Sequence, residues 1–252
     1  MIERRMTFHP VKYDLQAPWP LPEATADVYF PTSDGIRLHG WFFSSNTPRT
    51  GITVLFLHGN ADTVGSAAAA AIALRRRGFD VLLVDYRGYG RSEGESTGES
   101  TLKLDGAAAL RYLTAERGLA PSTIALFGYS LGTTLAADLA ASSPCHAVAL
   151  VAPLATSRLQ AQAVFPLLPE LFYERMRNRF DTVSTIAQAR CPVMILHGDR
   201  DSTISLEHGR AVYERAPHPK RLLVMQDIGH WLPLDGRYPY LDELVSFFAP
   251  RP

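Results

Sequence analysis

The sequence predicts an α/β fold: a mostly parallel central sheet, an antiparallel hairpin at its N-terminal edge, and helices on both faces. Three observations lead there. Short, uninterrupted apolar runs recur from Ile52 onward, helix-length segments separate them, and a hairpin signature precedes them all. An uninterrupted apolar run marks a strand covered on both faces, as parallel strands are, and the intervening helices supply the crossovers. At 252 residues the chain fits one domain spanning 1–252 and can bury roughly three quarters of its unfolded surface.

The elements follow in order. Residues 1–24 read as an extended lead-in, punctuated by Pro10, Pro18, Pro20 and Pro22. Ala26–Phe30 and Ile36–Phe43 flank Ser33-Asp34-Gly35, whose Asp-Gly pair suits a tight hairpin turn. The buried strands are Ile52–Leu57, Val81–Val84, Thr123–Phe127, Ala147–Val151, Val193–Leu196 and Leu222–Met225. Between them, Ala67–Arg77 is an alanine-rich helix closing on Arg75-Arg76-Arg77 before Gly78. Cations suit the negative end of a helix dipole, so the run reads as a solvated helix end rather than an anion site. Thr133–Ala141 is a second alanine-rich helix. The connection from Val151 to Val193 far exceeds the usual loop of about two to six residues. Within it, residues 154–190 form a cap-like insertion, apolar and broken at Pro166 and Pro169, expected to lay short helices across the sheet's top edge.

Composition narrows the partners. Lys plus Arg and Asp plus Glu each number 25, so no overall field draws a polyanion, and no nucleic-acid partner is expected. Two cysteines, Cys145 and Cys191, make neither a disulfide framework nor a metal site. Beside strands they read as small hydrophobes; a reducing cytoplasm is the default setting, with one bridge between them left open. No apolar run approaches the ~20 residues of a membrane span, so no integral membrane segment is expected. The opening Met1–Met6 carries Arg4 and Arg5 without a following apolar stretch, unlike a secretory leader.

The chemistry centres on Gly128-Tyr129-Ser130-Leu131-Gly132, between the strand Thr123–Phe127 and the helix Thr133–Ala141. That strand–turn–helix setting is what a G-x-S-x-G nucleophile elbow requires. A serine hydroxyl is a weak nucleophile and needs a base, itself held by an acid. Of the downstream histidines, His146 lies at the opposite sheet edge, His197 reads as structural, and His208 and His218 read as exposed. His230 follows the last strand, at the carboxyl edge where such sites lie, and is the candidate base. Two aspartates compete for the acid in His197-Gly198-Asp199-Arg200-Asp201. Asp201, just before a loop and helix, is favoured, and Asp199 reads as a turn residue. The oxyanion donors are the backbone amide of Leu131 and one in His58-Gly59-Asn60-Ala61-Asp62, with Asn60 first and Ala61 as fallback. Asp62 or Thr63 also suits a helix N-cap there. The glycines of Asp85–Ser92 lack the Gly-Lys-Ser/Thr ending of a nucleotide site and read as a structural loop.

Taken in order, His58-Gly59-Asn60, Asp85–Ser92, Gly128–Gly132, His197–Asp201 and Gly229-His230 resemble the α/β-hydrolase superfamily. They are most similar to its bud-emergence-like branch, which includes serine hydrolases of the protein-depalmitoylase and lysophospholipase type. The resemblance runs from about Val28 to Phe248, although Ser202–Ser205 lacks the valine-proline pair often found after the acid. It implies an α/β-hydrolase fold and an ester or thioester hydrolase working through an acyl-enzyme. The implied catalytic residues are Ser130, Asp201 and His230, with Asn60 and Leu131 amides at the oxyanion, and no cofactor or metal. The expected partner is a small-molecule or lipid-like acyl substrate. Phe165, Leu168 and Phe172 of the insertion are candidates to receive its acyl chain, against the alternative that they pack down on the body. A peptidase or amidase with the same machinery, or a non-catalytic binder, are the competing readings.

Overall fold

The computed structural model describes residues 7–16, 18–45, 49–231 and 239–250. The opening Met1–Met6 lies outside them. Eight strands form one sheet in the order β1-β2-β4-β3-β5-β6-β7-β8. β1 (Thr25–Pro31) and β2 (Arg37–Phe43) make the predicted hairpin, and β2 pairs antiparallel with β4 (Asp80–Asp85). From β4 onward every pairing is parallel, through β3 (Thr53–Leu57), β5 (Ile124–Tyr129), β6 (Ala147–Val151), β7 (Val193–Gly198) and β8 (Lys220–Met225).

The continuous apolar runs are divided residue by residue between two faces. Leu55, Leu57, Leu126, Val148 and Leu150 join one core cluster, while Val54, Phe56, Phe127, Ala149 and Val151 join the other. This is the period of two built into a strand. The first face is covered by α2 (Glu99–Arg111), α3 (Gly132–Ser142) and α7 (Leu206–Arg215) through Leu102, Leu135 and Val212. The second is covered by α1 (Val64–Arg76) and α8 (Tyr240–Phe248) through Leu74, Leu244 and Phe248. Each such side chain removed from water contributes about 1.5–3 kcal/mol. Thr63 starts α1 with a capping box: its hydroxyl accepts from Ser66 N at 3.3 Å and the Ser66 hydroxyl accepts from Thr63 N at 2.9 Å.

Two expectations are corrected. Arg75 is not part of a solvated helix end: it is buried, and its guanidinium donates to the Glu23 carbonyl of the lead-in at 2.7 Å. His208 is buried rather than exposed, and its Nδ1 accepts from Ala155 N at 3.0 Å. The insertion contains α4 (Ser157–Val164), α5 (Glu170–Glu174) and α6 (Thr182–Ile186). Among the described residues no helix is long and apolar enough to cross a membrane.

Candidate active site

β5 runs into α3 with only Ser130 and Leu131 between them, and this abrupt reversal sets Ser130 at φ 50°. A non-glycine residue there stores strain of about 1–3 kcal/mol. The residues two before and two after it must be glycine. A Cβ on Gly132 would lie 2.0 Å from the Leu57 carbonyl oxygen, and one on Gly128 would lie 2.6 Å from the Gly132 carbonyl oxygen. The turn is held by Ser130 N donating to Val151 O at 2.9 Å.

Ser130 Oγ lies 3.1 Å from His230 Nε2, and His230 Nδ1 lies 2.7 Å from Asp201 Oδ2. A carboxylate only accepts, so Nδ1 carries the proton and donates to Asp201. Nε2 is thereby left as an acceptor for the serine hydroxyl. Asp201 Oδ1 accepts from Thr203 N at 2.9 Å and Ile204 N at 2.8 Å, which fixes the plane of the carboxylate. Burial alone raises this carboxyl's pKa. Hydrogen bonds from His197, His230 and the Ile204 amide outweigh it and hold Asp201 well below the usual carboxylate range. Asp199, the competing aspartate, is exposed and has no contact with His230 among the described residues.

The other expected residues fall as follows. Leu131 opens α3, and Asn60 lies in the turn after β3. Neither backbone amide donates to another backbone group among the described residues. Ala61, the fallback donor, sits at φ 64°. The Asp85–Ser92 loop is structural: Tyr86 OH donates to His58 O at 2.8 Å, and Arg87 Nε donates to Asp105 at 2.8 Å. On the insertion, Phe165 and Phe172 are 40% and 44% exposed and Leu167 is 96% exposed, while Leu168 is half-buried. They therefore do not close the core beneath them. A cavity of about 320 Å³ within the insertion is lined by Thr156, Arg158, Tyr173, Asn178 and Asp181 among others, and by none of Phe165, Leu168 or Phe172. The insertion is tied to the acid loop by Gln160 Nε2, which donates to Thr203 O at 2.7 Å.

Sequence reasoning missed three features. His197 approaches Asp201 as well, with Nε2 at 3.4 Å from Oδ2, and its spacing of four from Asp201 was the available signal. Tyr129, inside the elbow motif, donates its hydroxyl to His230 O at 3.0 Å. Trp231, next to His230, is 69% exposed with its ring 5.9 Å from that of Tyr129.

Residues 52–184 match the family model described as the alpha/beta hydrolase fold. The chain belongs to the α/β-hydrolase family. This α/β-hydrolase is 34% identical over 250 residues to the uncharacterized protein Rv2307c of Mycobacterium tuberculosis, covering 98% of this chain and 87% of that one. It is 31% identical over 224 residues to human alpha/beta hydrolase domain-containing protein 17C, covering 88% of this chain and 66% of that one. Among solved structures, the α/β-hydrolase GrgF from Penicillium sp. sh18 superposes with a TM-score of 0.73 at 21% identity, covering 90% of this chain and 98% of that one. The Pyrococcus furiosus esterase Pf2001 superposes with a TM-score of 0.69 at 23% identity, covering 88% and 89%. At these identities both establish the shared fold alone.

Proposed function

We propose that this α/β-hydrolase is a serine hydrolase that cleaves carboxylic ester or thioester bonds through an acyl-enzyme. The observation that carries the reading is the hydrogen-bond chain from Ser130 through His230 to Asp201, at 3.1 and 2.7 Å, with the tautomer set by the acid. Ser130 Oγ bonds to the acyl carbon as its proton passes to His230 Nε2. The bond to the leaving group then breaks, and His230 returns the proton to the departing alcohol or thiol. Water repeats the sequence on the acyl-enzyme and frees the acid. The Leu131 and Asn60 amides hold the oxyanion in each half-reaction, where one donor is worth about 10²–10³ in rate. Asp201 keeps the imidazole oriented and stabilises its charged form.

The strain at Ser130 also supports catalysis over passive binding, since a binding pocket gains nothing from a strained serine at its base. Membership of the α/β-hydrolase family supports hydrolysis, and the motif resemblance to depalmitoylase and lysophospholipase types favours acyl esters and thioesters. Phe165, Leu168 and Phe172 are read as the apolar surface that meets the acyl chain. A fluorophosphonate probe tests the assignment. Wild type is expected to label at Ser130 and hydrolyse p-nitrophenyl butyrate. Ser130→Ala should lose labelling and about 10⁴-fold or more of turnover. An alanine variant that kept most of its activity would overturn the assignment.

A further inference from the structure

Residues 7–13 of the proline-punctuated lead-in are tied to the body of the domain. Phe8 is buried and meets Phe180 edge-on at 6.1 Å, where the insertion returns to the body. Three and five residues on, Gly90 N donates to Val11 O at 2.8 Å and Tyr13 N donates to Gly90 O at 3.0 Å. Between these anchors the segment crosses Asn60. His9 N donates to Asn60 Oδ1 at 3.0 Å, Asn60 Nδ2 donates to Thr7 O at 2.8 Å, and Tyr89 OH donates to Oδ1 at 2.7 Å. A carboxamide has one acceptor oxygen and one donor nitrogen. Here the oxygen is used twice and the nitrogen once, so the group is fixed in its plane and cannot reverse. The next residue, Ala61, holds a positive φ of 64°, a conformation that relaxes unless its surroundings enforce it.

We propose that residues 7–13 are a positioning strap that acts through the Asn60 carboxamide to aim the Asn60 backbone N–H into the oxyanion hole. The proposal rests on the reading of Ser130 as nucleophile. It explains why three hydrogen bonds from two separate segments converge on the one side chain whose own backbone faces that duty. An oxyanion donor works only within about 2.7–3.1 Å of the developing charge, so small drifts of this loop cost rate while leaving substrate binding alone.

The test is a double-mutant cycle in the full chain with Asn60→Ala, Phe8→Ala and their combination, plus Tyr89→Phe, which removes a single hydroxyl bond and leaves packing intact. Asn60→Ala keeps the backbone N–H and removes only the side-chain ties. Rates on p-nitrophenyl butyrate are normalised to titrated active sites, and inhibition by a trifluoromethyl ketone, whose adduct carries an oxyanion, is measured alongside. Each single change is expected to lower kcat about tenfold with KM within about twofold, and to weaken inhibitor binding by the same factor. The double variant should be no worse than Asn60→Ala, because both act on one coupling. Additive losses, or a lower Tm with kcat and inhibition per active site unchanged, would make the strap merely structural. If Ser130→Ala abolishes activity while these variants do not alter it, the strap alone is wrong. If wild type neither labels nor hydrolyses esters, the reading of the site falls and takes the strap's catalytic role with it.

An independent observation lies at the far edge of the sheet. Cys145 and Cys191, each two residues ahead of the first residue of β6 and β7, are both thiols with their sulfurs 3.0 Å apart. We infer that a two-electron oxidant of the peroxide class converts them to a disulfide that closes the chain around the whole insertion. One thiol attacks the peroxide and releases water as a sulfenic acid forms; the second displaces a further water as the sulfur–sulfur bond forms. Hydrogen bonding to Cys191, and then burial, push the Cys145 thiol up, so the reaction should quicken with rising pH. Intact mass is expected to fall by about 2 Da on peroxide treatment, with Tm higher by several degrees and no such change in Cys191→Ser. Thiols that persist through the treatment, or oxygen adducts in place of the mass loss, would refute it.

Discussion

Replacing Asp201 with asparagine tests the proposed site at its most constrained atom. The new carboxamide oxygen would stay at Oδ1, because Thr203 N and Ile204 N at 2.9 and 2.8 Å both need an acceptor there. Its NH₂ group is then forced into the Oδ2 position, 2.7 Å from His230 Nδ1. Two donors would face each other, and the imidazole escapes by moving its proton to Nε2. That proton then points at Ser130 Oγ, and the ring can no longer take the serine's own. The expected loss is on the order of 10⁴ in kcat, about 5.5 kcal/mol of transition-state stabilisation, with the fold retained. Asp199→Asn, at an exposed position outside this chain of bonds, should change kcat less than twofold. Steady-state rates on p-nitrophenyl butyrate, normalised by active-site titration, with circular dichroism to check folding, decide the matter. Similar mild losses in both variants would refute the tautomer argument and the choice of acid together.

Other outcomes follow from the same structure. Ser130→Gly relieves the residue at φ 50° and should raise stability by about 1 kcal/mol while abolishing turnover; a drop in Tm would show that the elbow is unstrained. His208 is pushed down to about 4, first by burial and then by His197. The unfolded chain therefore binds a proton that the folded one refuses between about pH 6.5 and 4, and stability should fall by about 3 kcal/mol as pH drops through that window. His208→Asn keeps an acceptor for Ala155 N and should flatten this acid limb in urea titrations, whereas an unchanged slope would assign the proton elsewhere. Two added acyl carbons should improve kcat/KM roughly tenfold, at ~0.8 kcal/mol per buried methylene. Phe165→Ala and Phe172→Ala should blunt that gain across p-nitrophenyl esters from acetate to dodecanoate, and a flat profile in all three proteins would remove the insertion from substrate binding.

Much of this architecture was legible because its signals are local. Apolar runs placed the strands to within a residue or two, and Asp34-Gly35 placed the hairpin turn. Gly128–Gly132 announced its own tight turn, since the clash a Cβ would cause there comes from residues a few positions away and from β3 beside it. What stayed hidden depends on segments distant in the chain. Arg75 looked like a solvated helix end because its acceptor, Glu23 O, is 52 residues earlier. His208 looked exposed because α7 gives no hint that Ala155 of the insertion will lie against it. The lead-in reads only as extended because none of its prolines reveals that Thr7 and His9 meet Asn60, 53 and 51 residues on. Periodicity reports which face of an element is buried, but not which remote polar group waits there.

The region around Asp201 shows why such contacts matter to the proposed chemistry. Three histidines converge near it, and only His230 is given both ring nitrogens to use. His197 Nε2 lies 2.8 Å from Ile204 O, an acceptor, so its proton is on Nε2; its Nδ1 is buried with no hydrogen-bond partner among the described residues. A proton added at that Nδ1 would be a buried donor with nothing to receive it. His208 Nδ1 is already occupied as the acceptor for Ala155 N. The neighbours of the acid are thus locked in single tautomers by backbone groups. His197 contributes a fixed dipole at 3.4 Å that helps keep Asp201 ionised, while His230 takes the shorter bond at 2.7 Å. His230 is also the ring with a hydroxyl on its other side, so it alone can take a proton and give it back without breaking a bond the fold requires.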